Sequence, residues 1–464
     1  MDPTAKPMTA PSSWMEQRRE LLVAVLGFLV FAGLILVKAT SMLEPDDFAY
    51  RASIVALRHG HILLSNSQYT SLNKQLASTG GQGILQWHHL SSGKWISEKN
   101  PGYPFVAVLF YAIGLLRVAP LFYGALAATG LYAGARKWLG GWAGTFAVLI
   151  FCFSGAALTF AWRDTMPSFT DASLIAAGFG ALLWALLSTD APARRRRFVG
   201  LAAFVALEAA VFIRYTNIIE LGVAVIAVLA VAKATRLGWS TVASWLTTVA
   251  VFVGLVLSFD RWAYGTATST GYSPGEITFS WSSLVPNLRA MPRDLTTSMP
   301  MWLLAFGALV WIAFNLAARR GERPEATEAK RDAVIGAVLA SGWLALWILY
   351  LSYTWTVGQA SGGFTVHVIR FYLPALGLIA LLATWLVVRL ARPAAWGVIG
   401  VLTVCAVLSF NAMSSNVPSH AVPTGRGPGP GGGVSARPRY APPVGSPSSG
   451  SMPGNGAPPS TLVP

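Results

Sequence analysis

Apolar stretches of spanning length recur along the chain and set the first reading. They fall at roughly 21–40, 118–135, 142–161, 171–188, 198–213, 217–232, 239–259, 300–318, 333–352, 371–388 and 395–412. A helix needs about 20 apolar residues to cross a hydrocarbon core of about 30 Å. These eleven runs therefore predict an all-α, polytopic membrane domain over 21–412. A twelfth run, 101–116, is barely long enough, and only Arg117 to Pro120 separates it from the next. The first run, Leu21 to Val37, is of spanning length, shows no cleavage signal and is read as a retained first helix.

Composition agrees. Hydrophobic residues make up 54% and charged residues 11%, against about 25% charged in soluble domains. The mean hydropathy is +0.53. An ordinary soluble enzyme and a disordered chain are both excluded. The net charge of +15 would suggest nucleic acid in a soluble protein; here it reads as basic residues flanking spans. Cys152 and Cys405 lie inside apolar runs and read as packing residues.

Positive charge also decides the twelfth run. If 101–116 does not cross, Arg136-Lys137, Arg194 to Arg197, Lys233/Arg236, the Arg319–Arg331 loop and Arg389/Arg392 all lie inside, with Arg18-Arg19. If it crosses, all five clusters move outside, against the positive-inside rule. The expectation is a juxtamembrane or re-entrant helix at 101–116, a cytoplasmic segment 1–20, and outer loops at 41–117, 260–299 and 353–370. The Pro/Gly/Ser-rich tail 413–464 is expected outside and disordered.

The outer loops carry the polar chemistry. The first begins Glu44-Pro45-Asp46-Asp47-Phe48-Ala49-Tyr50. Acidic residues after a proline mark a helix start, and Phe48, Ala52, Val55 and Ala56 give that helix an apolar face suited to the membrane interface. Asp46 and Asp47 either cap it, or one caps while the other serves as a base for an acceptor hydroxyl. The loop ends Glu98-Lys99-Asn100-Pro101-Gly102-Tyr103-Pro104. Lys99 is an interfacial anchor or a point charge for phosphate. Asp171 caps a span or serves the site, and Arg370 snorkels or binds phosphate bidentately. Arg163 and Arg214 stand at further outer corners. Glu208 lies within a span and is either paired in the bundle or functional. His88-His89 would point opposite ways in an extended chain, a poor metal pair.

These pieces, in this order, resemble the GT-C glycosyltransferases that use lipid-phosphate sugars, and most closely the branch of protein O-mannosyltransferases and lipid A aminoarabinose transferases. The resemblance covers about 40–390 and rests on Asp46-Asp47-Phe-Ala-Tyr50, Glu98-Lys99-Asn-Pro101-Gly-Tyr-Pro104, Asp171 and Arg370-Phe371-Tyr372-Leu-Pro374. Asn100 is an insertion relative to the family's Glu-Lys-Pro, and Phe371 stands where the family has Tyr. The family's soluble domain after the spans is not expected here, which leaves the acceptor open.

The resemblance implies an inverting glycosyltransferase, with a polyprenyl-phosphate sugar as donor and a glycan, glycolipid or protein hydroxyl as acceptor. The enzyme would sit in a bacterial plasma membrane with its site facing outside. Asp46 would be the catalytic base, with Asp47 as the fallback. Lys99 and Arg370 would bind the donor phosphate. Glu98 and Asp171 would orient the site or hold a divalent cation, whose need is left open. No nucleic acid is implied. The alternative is a multi-span transporter or lipid flippase; intramembrane Glu208 fits it, but no internal repeat does.

Overall fold

The computed structural model describes residues 14–39, 45–78, 83–232, 235, 237–272, 275, 277–318, 323–360 and 366–415. The expected tail from 416 onward, and most of the N-terminal segment, lie outside them. The chain order is α1 (Trp14–Val37), α2 (Pro45–Arg58), α3 (Asn66–Ser78), β1 (Trp87–His89), β2 (Trp95–Ser97), α4 (Gly102–Ala112), α5 (Ala119–Leu139), α6 (Ala143–Cys152), α7 (Gly155–Trp162), α8 (Ser168–Leu187) and α9 (Ala193–Ile213). It continues with α10 (Ile218–Val231), α11 (Trp239–Tyr264), α12 (Leu284–Ser298), α13 (Met301–Ala318), α14 (Arg323–Leu351), α15 (Thr354–Ala360), α16 (Val366–Ile369), α17 (Leu376–Val387) and α18 (Arg392–Ser415). Among the described residues the fold is all-α apart from one antiparallel ribbon that pairs Trp87 with Ser97 and His89 with Trp95.

Every apolar run became a helix. Among the described residues, seven helices are long and apolar enough to cross a membrane, or eight if α6 and α7 form one span. The chain is an integral, multi-pass membrane protein. Helices α10 and α17 are apolar but shorter, and α9 takes Arg194 to Arg197 into its first turns. At 11 residues, α4 rises about 16 Å, half of the hydrocarbon thickness.

Helix α8 forms the centre of the bundle, packed chiefly on α5 and α9. Small residues set its distance from α5. A Cβ on Gly130 would lie 2.6 Å from the Ala177 carbonyl oxygen, and one on Gly134 would lie 2.4 Å from that of Gly180. Such spacing lets backbones approach where lipid removes the hydrophobic drive to associate.

Two expectations need correction. The run 142–161 is not one straight helix: α6 and α7 meet at 60°. Phe153 leaves the helical region, and Ser154 restarts the chain by accepting from the Ala157 N–H. Gly155 then packs against Ser409, where a Cβ would come within 2.3 Å of Oγ. Nor does α2 present an apolar face to the membrane surface. Tyr50 and Ile54 join the main core, while Ala52, Val55 and Ala56 join a second core with Leu64, Leu72 and Trp87. Only the terminal Pro45 and Arg58 of α2 are fully exposed.

Two polar clamps hold the helix ends. At one end Arg117 donates to the carbonyls of Ile35 (3.1 Å), Leu36 (2.7 Å) and Lys38, satisfying the orphan acceptors of α1. At the other, Asp332 of α14 accepts from the Trp138 indole (2.9 Å), the Trp385 indole (2.8 Å) and Arg389 (2.9 Å). Asp332→Ala would strand two buried indole N–H groups, at about 1–3 kcal/mol each. A lowered thermal unfolding midpoint in detergent is the expected result, and an unchanged midpoint would show that the clamp is idle.

Candidate active site

Asp46 and Asp47 are successive residues in the first turn of α2. Neighbours on a helix point about 100° apart, so the two carboxylates meet different partners. Asp46 lies 3.0 Å from the Lys99 ammonium and 2.6 Å from the Arg370 guanidinium. Asp47 is fully buried; it pairs with Arg163 and accepts from the Thr165 hydroxyl at 2.9 Å. Asp46 keeps 15% of its side chain exposed, whereas Asp47 and Arg163 keep 0% and 1%.

Glycine and aromatic packing bring Lys99 to Asp46. The Pro101-Gly102 turn starts α4, and Gly102 lies so close to the end of α9 that a Cβ would be 2.3 Å from the Phe212 backbone. Tyr103 then stacks edge-on against Tyr50 at 5.6 Å. Lys99 is buried and donates to the Tyr272 hydroxyl at 3.3 Å. Burial alone would pull the Lys99 pKa down, but the charge of Asp46, with Tyr272 and Tyr50 beside it, outweighs this and holds the ammonium above its ordinary value. Burial pushes the Tyr50 hydroxyl upward as well.

Arg370 is framed from the other side. Its guanidinium carbon is 4.8 Å from the Phe371 ring centre and 5.6 Å from that of Trp355, and Phe371 in turn packs on Tyr350 at 4.9 Å. Arg214 donates to the Arg370 carbonyl at 3.0 Å and to Ser168 at 3.1 Å. Its Nε lies 2.9 Å from Asp171. Asp171 thus reaches the site through Arg214. It does not serve as the N-cap of α8, since Pro167 occupies that position.

The structure therefore brings Asp46, Lys99 and Arg370 into one cluster and links Asp171 to its edge. Asp47 faces Arg163, and Glu98 faces His88 at 3.3 Å. His88 and His89 occupy successive positions of β1, the second fully exposed and edge-on to Trp95. Among the described residues no three His, Cys, Asp or Glu side chains converge as a metal site. Glu98 and Asp171 have separate partners, so this donor set does not fit a divalent ion. Arg163 and Arg214 have a role that the sequence signals only as a basic residue beside an apolar helix end. Glu208, within a span, lies beside Thr248 of α11.

These helices make the chain an all-α, multi-pass membrane protein whose fold is similar to solved membrane-protein structures. No protein-family model matches it, and no curated protein matches its sequence. Among solved structures it is similar to ArnT from Cupriavidus metallidurans in the apo state, with a TM-score of 0.52 and 17% identity, over 82% of this chain and 61% of that one. The same protein bound to undecaprenyl phosphate gives a TM-score of 0.50 and 17% identity, over 84% and 63%. An Archaeoglobus fulgidus oligosaccharyltransferase, in complex with Zn and sulfate, gives 0.46 and 13%, over 85% and 53%. The chain thus spans about three fifths of the ArnT length.

The two aspartates are expected to separate on substitution. Removing one partner of a buried pair is worth about 3–5 kcal/mol, so Asp47→Asn should lower the yield of folded protein and its melting point. Asp46→Asn, at a partly exposed position, should fold with nearly wild-type stability. Thermal unfolding of both variants checks this; equal stability would remove the distinction.

Proposed function

We propose that the chain is an inverting glycosyltransferase that moves a sugar from a polyprenyl-phosphate donor to an acceptor hydroxyl on the extracytoplasmic face of the membrane. The observation that carries the reading is one partly exposed carboxylate, Asp46, held between two cations, Lys99 and Arg370. The fold shared with ArnT, a protein crystallised with undecaprenyl phosphate, supports a lipid-phosphate donor.

In this reading the acceptor oxygen attacks the anomeric carbon, forming the new glycosidic bond. The bond from that carbon to the phosphate oxygen breaks, and the lipid phosphate leaves with the electron pair. Asp46 takes the hydroxyl proton. Lys99 and Arg370 meet the charge that develops on the leaving phosphate. Donor phosphate competes for the same cations, so its arrival loosens Asp46 and leaves its carboxylate free to meet the acceptor hydroxyl. Asp47, Arg163 and Thr165 fix the first turn of α2, and Asp171 acts through Arg214 on the backbone of Arg370. Asp47 and Asp171 are thus positioning residues.

Charge distribution supports the orientation. Asp171 opens α8, Arg214 follows α9 and Arg370 precedes α17, so the start of α8, the end of α9 and the start of α17 lie at the site. Arg136 and Lys137 end α5, Arg194 to Arg197 open α9, and Arg389 follows α17, all at the opposite ends. Positive-inside placement puts that basic end in the cytoplasm.

The test is transfer from a panel of radiolabelled polyprenyl-phosphate sugars to hydroxyl acceptors by the reconstituted chain. Asp46→Asn should cut turnover by about two to four orders of magnitude. Lys99→Ala and Arg370→Ala should each cut transfer efficiency by about ten- to a hundredfold, and Arg370→Lys should recover only part of it. Wild-type transfer by folded Asp46→Asn would sink the mechanism. Orientation is checked separately in a Cys405→Ser background: a cysteine at exposed Ser92 should label from outside, and one at exposed Glu328 only after permeabilisation. The reverse pattern would invert the topology.

A further inference from the structure

Helix α12 lies between two lipid-length helices. Helix α11 ends at Tyr264, and α13 begins at Met301, three residues beyond the last residue of α12, Ser298. Its level is therefore tied to the end of a span. One face is buried: Asn287, Met291, Asp294, Leu295 and Ser298 pack inward. Asn287 anchors it by donating to the carbonyls of Leu351 (2.8 Å) and Tyr353 (3.3 Å). The approach to the helix is fixed too, since Phe279 bridges to Tyr353 and Ser280 N–H donates to Ser352 at 2.7 Å.

The remaining surface divides into two sectors. Trp281, Val285 and Leu288 recur at helical spacing and are 79%, 52% and 46% exposed. Phe279 and Ile277 extend the same apolar line toward α11. Arg289 and Arg293, one helical turn apart, are both exposed beside it. No described element covers either sector. On the neighbouring spans, Leu255 and Trp262 of α11 and Leu303 and Phe306 of α13 are equally exposed, as lipid-facing residues are.

We propose that α12 is a membrane-surface helix that docks on anionic phospholipid, with Trp281, Val285 and Leu288 entering the acyl boundary and Arg289 and Arg293 taking the headgroup phosphates. The three-sector pattern is what such a site requires. An apolar stripe supplies burial, adjacent cations supply headgroup attraction, and an inward polar face fixes the rotation about the helix axis. Charge complementarity selects an anionic lipid, since a zwitterionic surface offers the arginines no net charge. This inference does not depend on the transferase reading.

The test is the immersion depth of a spin label at Val285→Cys in the full chain with Cys405→Ser, where the remaining Cys152 is buried. The protein is reconstituted in nanodiscs of phosphatidylcholine alone or with one part in about three of phosphatidylglycerol. Two arginines near an anionic surface correspond to about a thirtyfold preference. The label should therefore show lower collision with a nickel chelate, and higher with oxygen, in the anionic discs. Arg289→Gln with Arg293→Gln should return it to the phosphatidylcholine value at unchanged melting temperature. Equal depth in both compositions, or a depth unaffected by the double substitution, would overturn the proposal. Spin–spin broadening that disappears on dilution with unlabelled protein would also overturn it, assigning the face to a second copy.

Discussion

A carboxylate carried to the end of an apolar helix bundle must meet a cation or another hydrogen-bond donor, because an unpaired charge there is far more costly than the pair. At one end of this molecule three aspartates pose that demand, and four cations answer it. Asp46 takes Lys99 and Arg370, Asp47 takes Arg163, and Asp171 takes Arg214. The partners are remote in sequence, 324 residues apart for Asp46 and Arg370 and 116 for Asp47 and Arg163. Such pairs form only when α2, α4, the α7–α8 corner, the end of α9 and the approach to α17 have all docked. The same contacts that close the fold therefore assemble the site.

Within that set, exposure separates structure from chemistry. Asp47 and Arg163 have almost no contact with solvent, and both are spent on each other and on Thr165. Asp46 and Arg370 retain 15% and 10% of their side-chain surface, enough for an incoming group to exchange partners with them. A helix offers adjacent residues different directions, so the doubled aspartate serves both ends from one turn. The buried member fixes the angle at which the open member meets its cations.

The spans were legible because length and apolarity alone suffice to predict a membrane helix. The bend between α6 and α7 was not, because hydropathy averages over Phe153-Ser154-Gly155 and misses a serine that restarts a helix. The nature of α2 was half legible: its periodicity reported one apolar face, but not that Tyr50 and Ala52 serve two different cores. Lys99 and Arg370 could be nominated since each is a lone cation at an outer boundary inside a recognisable motif. Arg163 and Arg214 were visible as corners, yet their roles depend on which carboxylate arrives from elsewhere in the chain. Spacing along a sequence carries no record of that. The partners of Glu98 and Asp171, His88 and Arg214, were hidden for the same reason.

The two ends of the bundle use charge in opposite ways. In the site, Lys99, Arg163, Arg214 and Arg370 are matched to carboxylates and partly removed from water. At the other end Arg194, Arg195 and Arg197 are exposed, and the nearby Asp190 is engaged by Lys137 at 2.6 Å. Asp332 and Glu20 are exceptions there: Asp332 is folded inward under two tryptophans and Arg389, and Glu20 is buried 3.1 Å from Arg136. Unmatched arginines at a helix end gain most from an anionic leaflet and resist passage through the membrane. Matched, half-dried cations gain little from bulk lipid, since their charge is already answered. They release it only to a ligand that brings an equivalent negative charge to the same position. In the proposed reading, a phosphate tethered to a membrane lipid brings that charge to that depth, so an arrangement that looks self-satisfied still suits an anionic donor.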